Sequence, residues 1–200
     1  MDAKGWHSCG YLPHFDSPEN IQHVVFRTLG SIPAAIFAEF HDDPALRRSQ
    51  VDAFLDKSAS GHLLAVPAHA AIVEDCLLHF DRQRYNLLGW CVMPNHVHVL
   101  VEQLIGHNLG QCVRSWKQFS TLAINRLTGR SGPVWTPDYF DRFMRNKDHF
   151  AQTLGYVENN PVKAGLVAEA KAWPFSSASS PGARTSSALA RRRTVLCSGP

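Results

Sequence analysis

Two short stretches carry residues whose spacing could do chemistry. The first is His96-Val97-His98, inside the run HVHVLVE at 96–102. Successive side chains of an extended strand point to opposite faces, so both imidazoles share a face with α carbons about 6–7 Å apart. Two ring nitrogens at that spacing can converge on one metal ion. Val97, Val99 and Val101 then form an apolar face that suits packing against helices. The same pattern also describes two ordinary exposed strand histidines, and the residues alone leave both readings open. The second stretch is GYVENNPVKAGL at 155–166. On a helix Tyr156 and Asn160 lie four residues apart and share a face. Tyr156 offers a hydroxyl nucleophile, and Asn160 offers a side-chain oxygen to a metal. The plainer alternative is a core tyrosine followed by an asparagine that ends the helix, because Pro161 pushes the residue before it out of the α region. His, Asn and water suit Mg²⁺ or Mn²⁺, and neither motif holds a cysteine. Two histidines alone also suit Zn²⁺.

Something must hold these residues, and the surrounding pattern supplies it. Tyr85 to Met93 (YNLLGWCVM) reads as a strand, Pro94-Asn95 as a turn, and His96 to Glu102 as a second strand, together an antiparallel hairpin. Ile21 to Leu29 is rich in β-branched residues and predicts another strand. Val134 to Arg145 predicts a fourth. Helices are expected at Pro33 to Phe40, Pro44 to Lys57, Pro67 to Asp81, Asn108 to Leu127 (stopped by Gly129) and Lys147 to Asn159 (stopped by Pro161). Gly5 to Asn20 reads as an irregular lead-in. The expected architecture is α+β, a mixed sheet with helices on one face.

Composition bounds the function. The chain has 200 residues, 44% hydrophobic and 18% charged, the balance of one globular domain with a sizeable core. An eight-stranded α/β barrel, where His-x-His pairs often serve hydrolases, typically needs about 250 residues. No apolar run approaches the ~18 residues of a membrane span, and Met1 to Gly10 lacks a secretory pattern. The five cysteines are scattered without C-x-x-C, which fits a reducing cytoplasm. A net charge of +3 permits a nucleic-acid partner without demanding one. After residue 179 the composition turns to Ser, Ala, Gly and Pro, then Arg191-Arg192-Arg193, so 1–179 is read as the domain and 180–200 as a flexible basic tail.

The run MPNHVHVL at 93–100 followed by YVENNPVKAGLV at 156–167 resembles the IS200-like transposases, and more narrowly the REP-associated tyrosine transposases, which are HUH single-tyrosine nucleases. Supporting pieces are YLPHFD at 11–16, the strand around His23 to Arg27, Trp135 with DYFDR at 138–142, and WPFSS at 173–177. The resemblance implies a ferredoxin-like fold, a central mainly antiparallel sheet with helices packed on it. It implies nicking and joining of single-stranded DNA beside palindromic hairpins. His96 and His98 would hold Mg²⁺ or Mn²⁺, Asn160 would stand as the third ligand, and Tyr156 would attack the phosphodiester and keep the 5′ phosphate. The protein would act as a monomer or homodimer, with the monomer favoured. Its alternative is a catalytically inactive hairpin DNA- or RNA-binding protein on the same fold, and a third reading is a small-substrate metal hydrolase.

Cations gather in the second half. Arg114, Lys117, Arg142, Arg145 and Lys163 are the candidate phosphate contacts, and each phosphate neutralised would steepen the salt dependence of binding. Trp135, Tyr139 and Phe140 are candidates to stack on unpaired bases. The plainer alternative for these residues is core aromatics and a solvated helical face.

Overall fold

A computed structural model describes residues 5–8, 13–16, 20–58 and 60–179. The expected tail at 180–200 lies outside the described residues, as do Cys9, Tyr11 and Cys197. Two short strands open the chain, β1 (Gly5–Ser8) and β2 (Pro13–Asp16), paired antiparallel. This hairpin replaces the irregular lead-in expected from its Gly, Pro and His content; strand pairing there is set by the partner strand rather than by local propensity.

The central sheet has four strands, β3 (Ile21–Arg27), β4 (Tyr85–Val92), β5 (His96–Gln103) and β6 (Phe140–Phe143), in the order β4-β5-β3-β6. Every pairing is antiparallel. Between β3 and β4 run α1 (Ala34–Ala38), α2 (Pro44–Lys57) and α3 (Pro67–His79); α4 (Leu109–Thr128) joins β5 to β6, and α5 (Lys147–Lys163) follows. The succession β3-α3-β4-β5-α4-β6 is the β-α-β-β-α-β order of a ferredoxin-like fold, with α1 and α2 inserted before its first helix.

The strict alternation of β5 decides which face meets which helix. Val97, Val99 and Val101 join Val24, Phe26 and Trp90 in a core against Val73 and Leu77 of α3 and Val113, Trp116 and Ile124 of α4. Each such buried side chain is worth about 1.5–3 kcal/mol. Tyr85 seals this layer: its hydroxyl donates to the Leu77 carbonyl at 2.8 Å and accepts from Trp116 Nε1 at 2.8 Å. The opposite face carries Leu100, Cys91 and Met93 against Val157 of α5. Helices therefore cover both faces, not one as the pattern suggested. A small third cluster, Ile32, Val51 and Leu55, seats α2.

Two boundaries differ from expectation in ways that matter. The strand expected over Val134 to Arg145 is confined to Phe140–Phe143, and Trp135 makes only an isolated bridge to Thr28. The last helix does not stop before Pro161 but continues through it to Lys163. Proline removes one backbone donor, yet it stands in the last turn, where little helix remains to be broken. A Schellman closure completes the end: Gly165 adopts φ 69°, its N–H donates to the Val162 carbonyl at 3.0 Å, and Leu166 N–H donates to the Pro161 carbonyl at 2.9 Å. Asn160 thus sits in regular helix, one turn beyond Tyr156.

Candidate active site

β5 places His96 and His98 on the sheet face that α5 covers, both fully buried. Their Nε2 atoms stand 2.9 Å apart. Cis ligands of an octahedral ion bound at about 2.0–2.1 Å lie about 2.9 Å apart, so the pair is spaced to share one hard cation. The β4–β5 turn orients the first imidazole. Asn95 Nδ2 donates to the carbonyls of Leu55, Ser58 and Ser60 at 3.2–3.4 Å, which leaves its Oδ1 to accept from His96 Nδ1 at 2.7 Å. The His96 proton is therefore on Nδ1 and the Nε2 lone pair faces the site, the orientation that a hydrogen bond to the far ring nitrogen imposes on metal-binding histidines in general. Burial, with no compensating acid at hydrogen-bond range, pushes the His96 pKa down to about 3. The ring is neutral at pH 7, the form that ligates a metal.

β3 brings a third imidazole, His23, whose Nε2 lies 3.0 Å from His98 Nδ1. From above, α5 lowers Asn160, with Nδ2 3.0 Å from His98 Nε2. Asn160 Oδ1 is buried without a hydrogen-bond partner. A half-turn of the amide exchanges the two atoms and presents that oxygen to the histidines. Tyr156, one turn earlier, stands edge-on to His98, ring centroids 5.6 Å apart. Lys163 lies on the same stripe of α5, with Nζ 4.6 Å from the Tyr156 ring centroid. The donor set of two imidazoles and one amide oxygen fits Mg²⁺ or Mn²⁺. Among the described residues no group of three or more His, Cys, Asp or Glu is assembled as a metal cluster.

Residues 72–160 match the family model of the transposases described as IS200 like, a span that contains both histidines, Tyr156 and Asn160. Over that span, 89 of the 200 residues, the chain is similar to the IS200-like transposases. A protein of Escherichia coli K12 named REP-associated tyrosine transposase is 26% identical over 108 residues, covering 52% of this chain and 62% of that one. A protein of Haemophilus influenzae provisionally given the same name is 28% identical over 106 residues, covering 46% of this chain and 58% of that one. The chain thus matches about three fifths of the length of these relatives. A solved structure of a REP-associated tyrosine transposase bound to a REP hairpin shares the fold, with TM-score 0.53 and 17% identity over 82% of this chain and 79% of that one.

Beside these residues a cleft of about 880 Å³ opens to solvent, lined by His23, Asp56, Arg142, Tyr156 and Lys163, among others. Among the described tyrosines, Tyr156 lines this cleft. Tyr85 is fully buried and doubly hydrogen-bonded, Tyr139 is buried and stacked on His14 at 4.2 Å, and Tyr11 lies outside the described residues. The five candidate phosphate contacts are not brought together. Arg142 and Lys163 line the cleft, and Arg145 is exposed just before α5. Arg114 and Lys117 belong to α4, on the other face of the sheet. Lys117 instead ties down the loop before β6, its Nζ donating to the carbonyls of Thr136, Pro137 and Asp138 at 2.8–3.2 Å. Burial lowers its pKa to about 8, opposed by the Asp138 charge and reinforced by Arg27. Trp135 and Tyr139 are likewise core, 5% and 9% exposed, and Phe140 is half-buried against the Ile32, Val51 and Leu55 cluster.

Sequence reasoning missed His23, Asn95 and Asp56. His23 was findable, since it alternates with Val25 in a strand whose partner carries the histidine pair. Asp56 had no local signal: it reaches the site because α2, anchored by Val51 and Leu55, folds back over the sheet.

Proposed function

We propose that this chain is a metal-dependent, single-stranded DNA endonuclease and strand-transferase that cuts and rejoins DNA beside palindromic hairpins through a 5′-phosphotyrosine on Tyr156. The observation that carries the reading is the stripe Tyr156, Asn160 and Lys163 on α5, which sets Asn160 Nδ2 3.0 Å from His98 and Tyr156 edge-on to the same ring, beside a cleft that Tyr156 and Lys163 line. A nucleophile, a metal-binding triad and a cation meet at one point, inside or beside the segment matched by the IS200-like family. The names of the relatives supply the substrate class.

The chemistry follows from the residues. The Tyr156 oxygen attacks phosphorus, the P–O3′ bond breaks, and the 3′ oxygen leaves with a proton as a free hydroxyl. That hydroxyl can attack the phosphotyrosine in reverse, which joins strands. A free phenol ionises near pH 10, so the attacking oxygen must shed its proton. Lys163 places positive charge over the ring, where the phosphate would be attacked. His96, His98 and Asn160 would hold the divalent ion, which polarises the phosphate oxygens and orients the scissile bond when bound. Arg142 extends the positive rim along the cleft.

Tyr156→Phe tests the reading. Phe keeps the ring and its edge contact with His98, so folding and hairpin binding should be unchanged, while nicking and the covalent protein–DNA adduct are lost. DNA labelled on the 3′ side of the cut, run on a denaturing gel, reports the adduct. An adduct from the variant would move the nucleophile elsewhere. Hairpin binding without any adduct from the wild type would make the chain an inactive binder.

A further inference from the structure

We propose that Asp56 is a fourth protein donor to the divalent ion of the His96–His98–Asn160 centre. This rests on the metal-dependent reading above and adds a residue from α2, outside the segment matched by the family model.

The case begins with buried acceptors. Asp56 Oδ1 and Asn160 Oδ1 are both buried without a hydrogen-bond partner. Asp56 Oδ1 stands 3.9 Å from His96 Nε2. His96 Nε2 is itself a lone pair, because Asn95 holds the ring proton on the other nitrogen. Buried polar atoms in folded proteins are overwhelmingly satisfied, and each exception calls for an explanation. Here a carboxylate, an amide and two imidazoles meet: the Asn160 side chain donates to His98 Nε2 and bonds the Asp56 carboxylate, yet Asp56 Oδ1 and Asn160 Oδ1 are left with no proton to accept. A cation resolves all of them together.

Geometry and charge agree. Ligands of one octahedral ion bound at about 2.1 Å lie between about 3 Å (cis) and about 4.2 Å (trans) apart. The His96–His98 separation of 2.9 Å and the His96–Asp56 separation of 3.9 Å span that range. The carboxylate needs only side-chain rotation to close. Imidazole nitrogens and an amide oxygen bring no negative charge to a metal, and hard cations prefer oxygen and negative charge. One carboxylate supplies both and leaves positions for phosphate oxygen and water. Lys163, the charge acting on Asp56 from α5, then bridges the ligand shell and the nucleophile.

Mn²⁺ binding to the full-length protein without DNA, followed by electron paramagnetic resonance and calorimetry, separates the possibilities. Asp56→Asn keeps shape and removes charge; its Mn²⁺ affinity should fall at least tenfold, with the thermal melt of the metal-free protein unchanged. Asp148→Asn, an exposed carboxylate at the start of α5, should bind like wild type. Asp56→Cys should gain affinity for Cd²⁺ relative to Mn²⁺, as a thiolate in the shell would. Wild-type Mn²⁺ affinity in Asp56→Asn, alongside loss in His98→Ala, overturns the Asp56 assignment and leaves the metal centre standing. No Cd²⁺ gain in Asp56→Cys places Asp56 outside the shell and also overturns it. Equal Mn²⁺ binding by wild type and His98→Ala overturns the metal centre and the proposal with it.

Discussion

His14 and His96 are both sealed from water, 1% and 0% exposed, and end in opposite charge states. Around His96 burial acts alone and holds the pKa near 3. Around His14 burial also pulls downward, but hydrogen bonds and charge from Asp138 and Asp141 outweigh it and raise the pKa to about 9. Those contacts are Nδ1 to Asp141 at 2.5 Å and Nε2 to Asp138 at 3.2 Å. The first ring is neutral, its Nε2 turned toward His98. The second is a cation that clasps β2 to β6 and the loop before it. Burial therefore does not decide what a histidine does; the nearest carboxylate does. Asp56, at 3.9 Å from His96, is too far to charge the ring and near enough to share an ion with it.

The contrast can be broken at either end. The largest effect should come from the His96→Ala, His98→Ala double variant, in which nicking of hairpin single-stranded DNA drops by three orders of magnitude or more (about 4 kcal/mol) while hairpin binding persists. Full nicking would remove the ligand role. Next, His14→Ala should cost about 3 kcal/mol of unfolding free energy, because two carboxylates lose their shared partner. Mn²⁺ affinity should not change, and urea titration with metal binding on the same sample checks both. The pH dependence sharpens the same point. A folded pKa raised from 6.5 to about 9 makes the His14 contribution complete below pH 6.5 and lost as pH rises through 9. The stability gap between wild type and His14→Ala should shrink by up to about 3 kcal/mol between pH 6 and pH 10; a gap that widens would mean the ring is neutral. Asp138, held below the usual carboxylate range mainly by its bonds to His14 and the Tyr139 N–H against burial, loses its share on the acid side. Smallest is Asn160→Ala, for which about a tenfold loss of nicking is expected (about 1.4 kcal/mol), since water can take one ligand position.

How much was legible beforehand follows from range. β5's alternation put the histidine pair on one face and helical spacing put Tyr156 with Asn160 on one stripe, because both signals are local; neither signal separates a chemical role from ordinary strand histidines and a core tyrosine, and the family resemblance made that choice. The βαββαβ core followed from the same periodicities. Pro161 misled: a proline reads as a stop, and only the Schellman closure at Gly165 shows that the helix absorbs it. Lys117 misled in the opposite sense. It reads as a phosphate contact, but three carbonyls from 136–138 claim it, and that loop is brought there by tertiary folding. His14 between Asp138 and Asp141 joins residues more than 120 positions apart. No window of sequence contains that contact.

Asn95 has a consequence beyond orienting one ring. Its amide nitrogen grips three carbonyls at and after the end of α2, and its oxygen holds His96. The wall of the cleft and the tautomer of a ligand are thereby two readings of one side chain. Coupling of this kind is reciprocal. If displacing α2 frees His96 to turn and weakens ion binding, then filling the centre must tighten α2 by the same factor. Amide exchange across Val51 to Ser58 should slow as Mn²⁺ is added, and in the Asp56→Asn background, where the carboxylate no longer ties α2 to the ion, Asn95→Ala should remove what remains of that slowing. An entering strand that presses on α2 would then be sensed at the metal before its phosphate arrives.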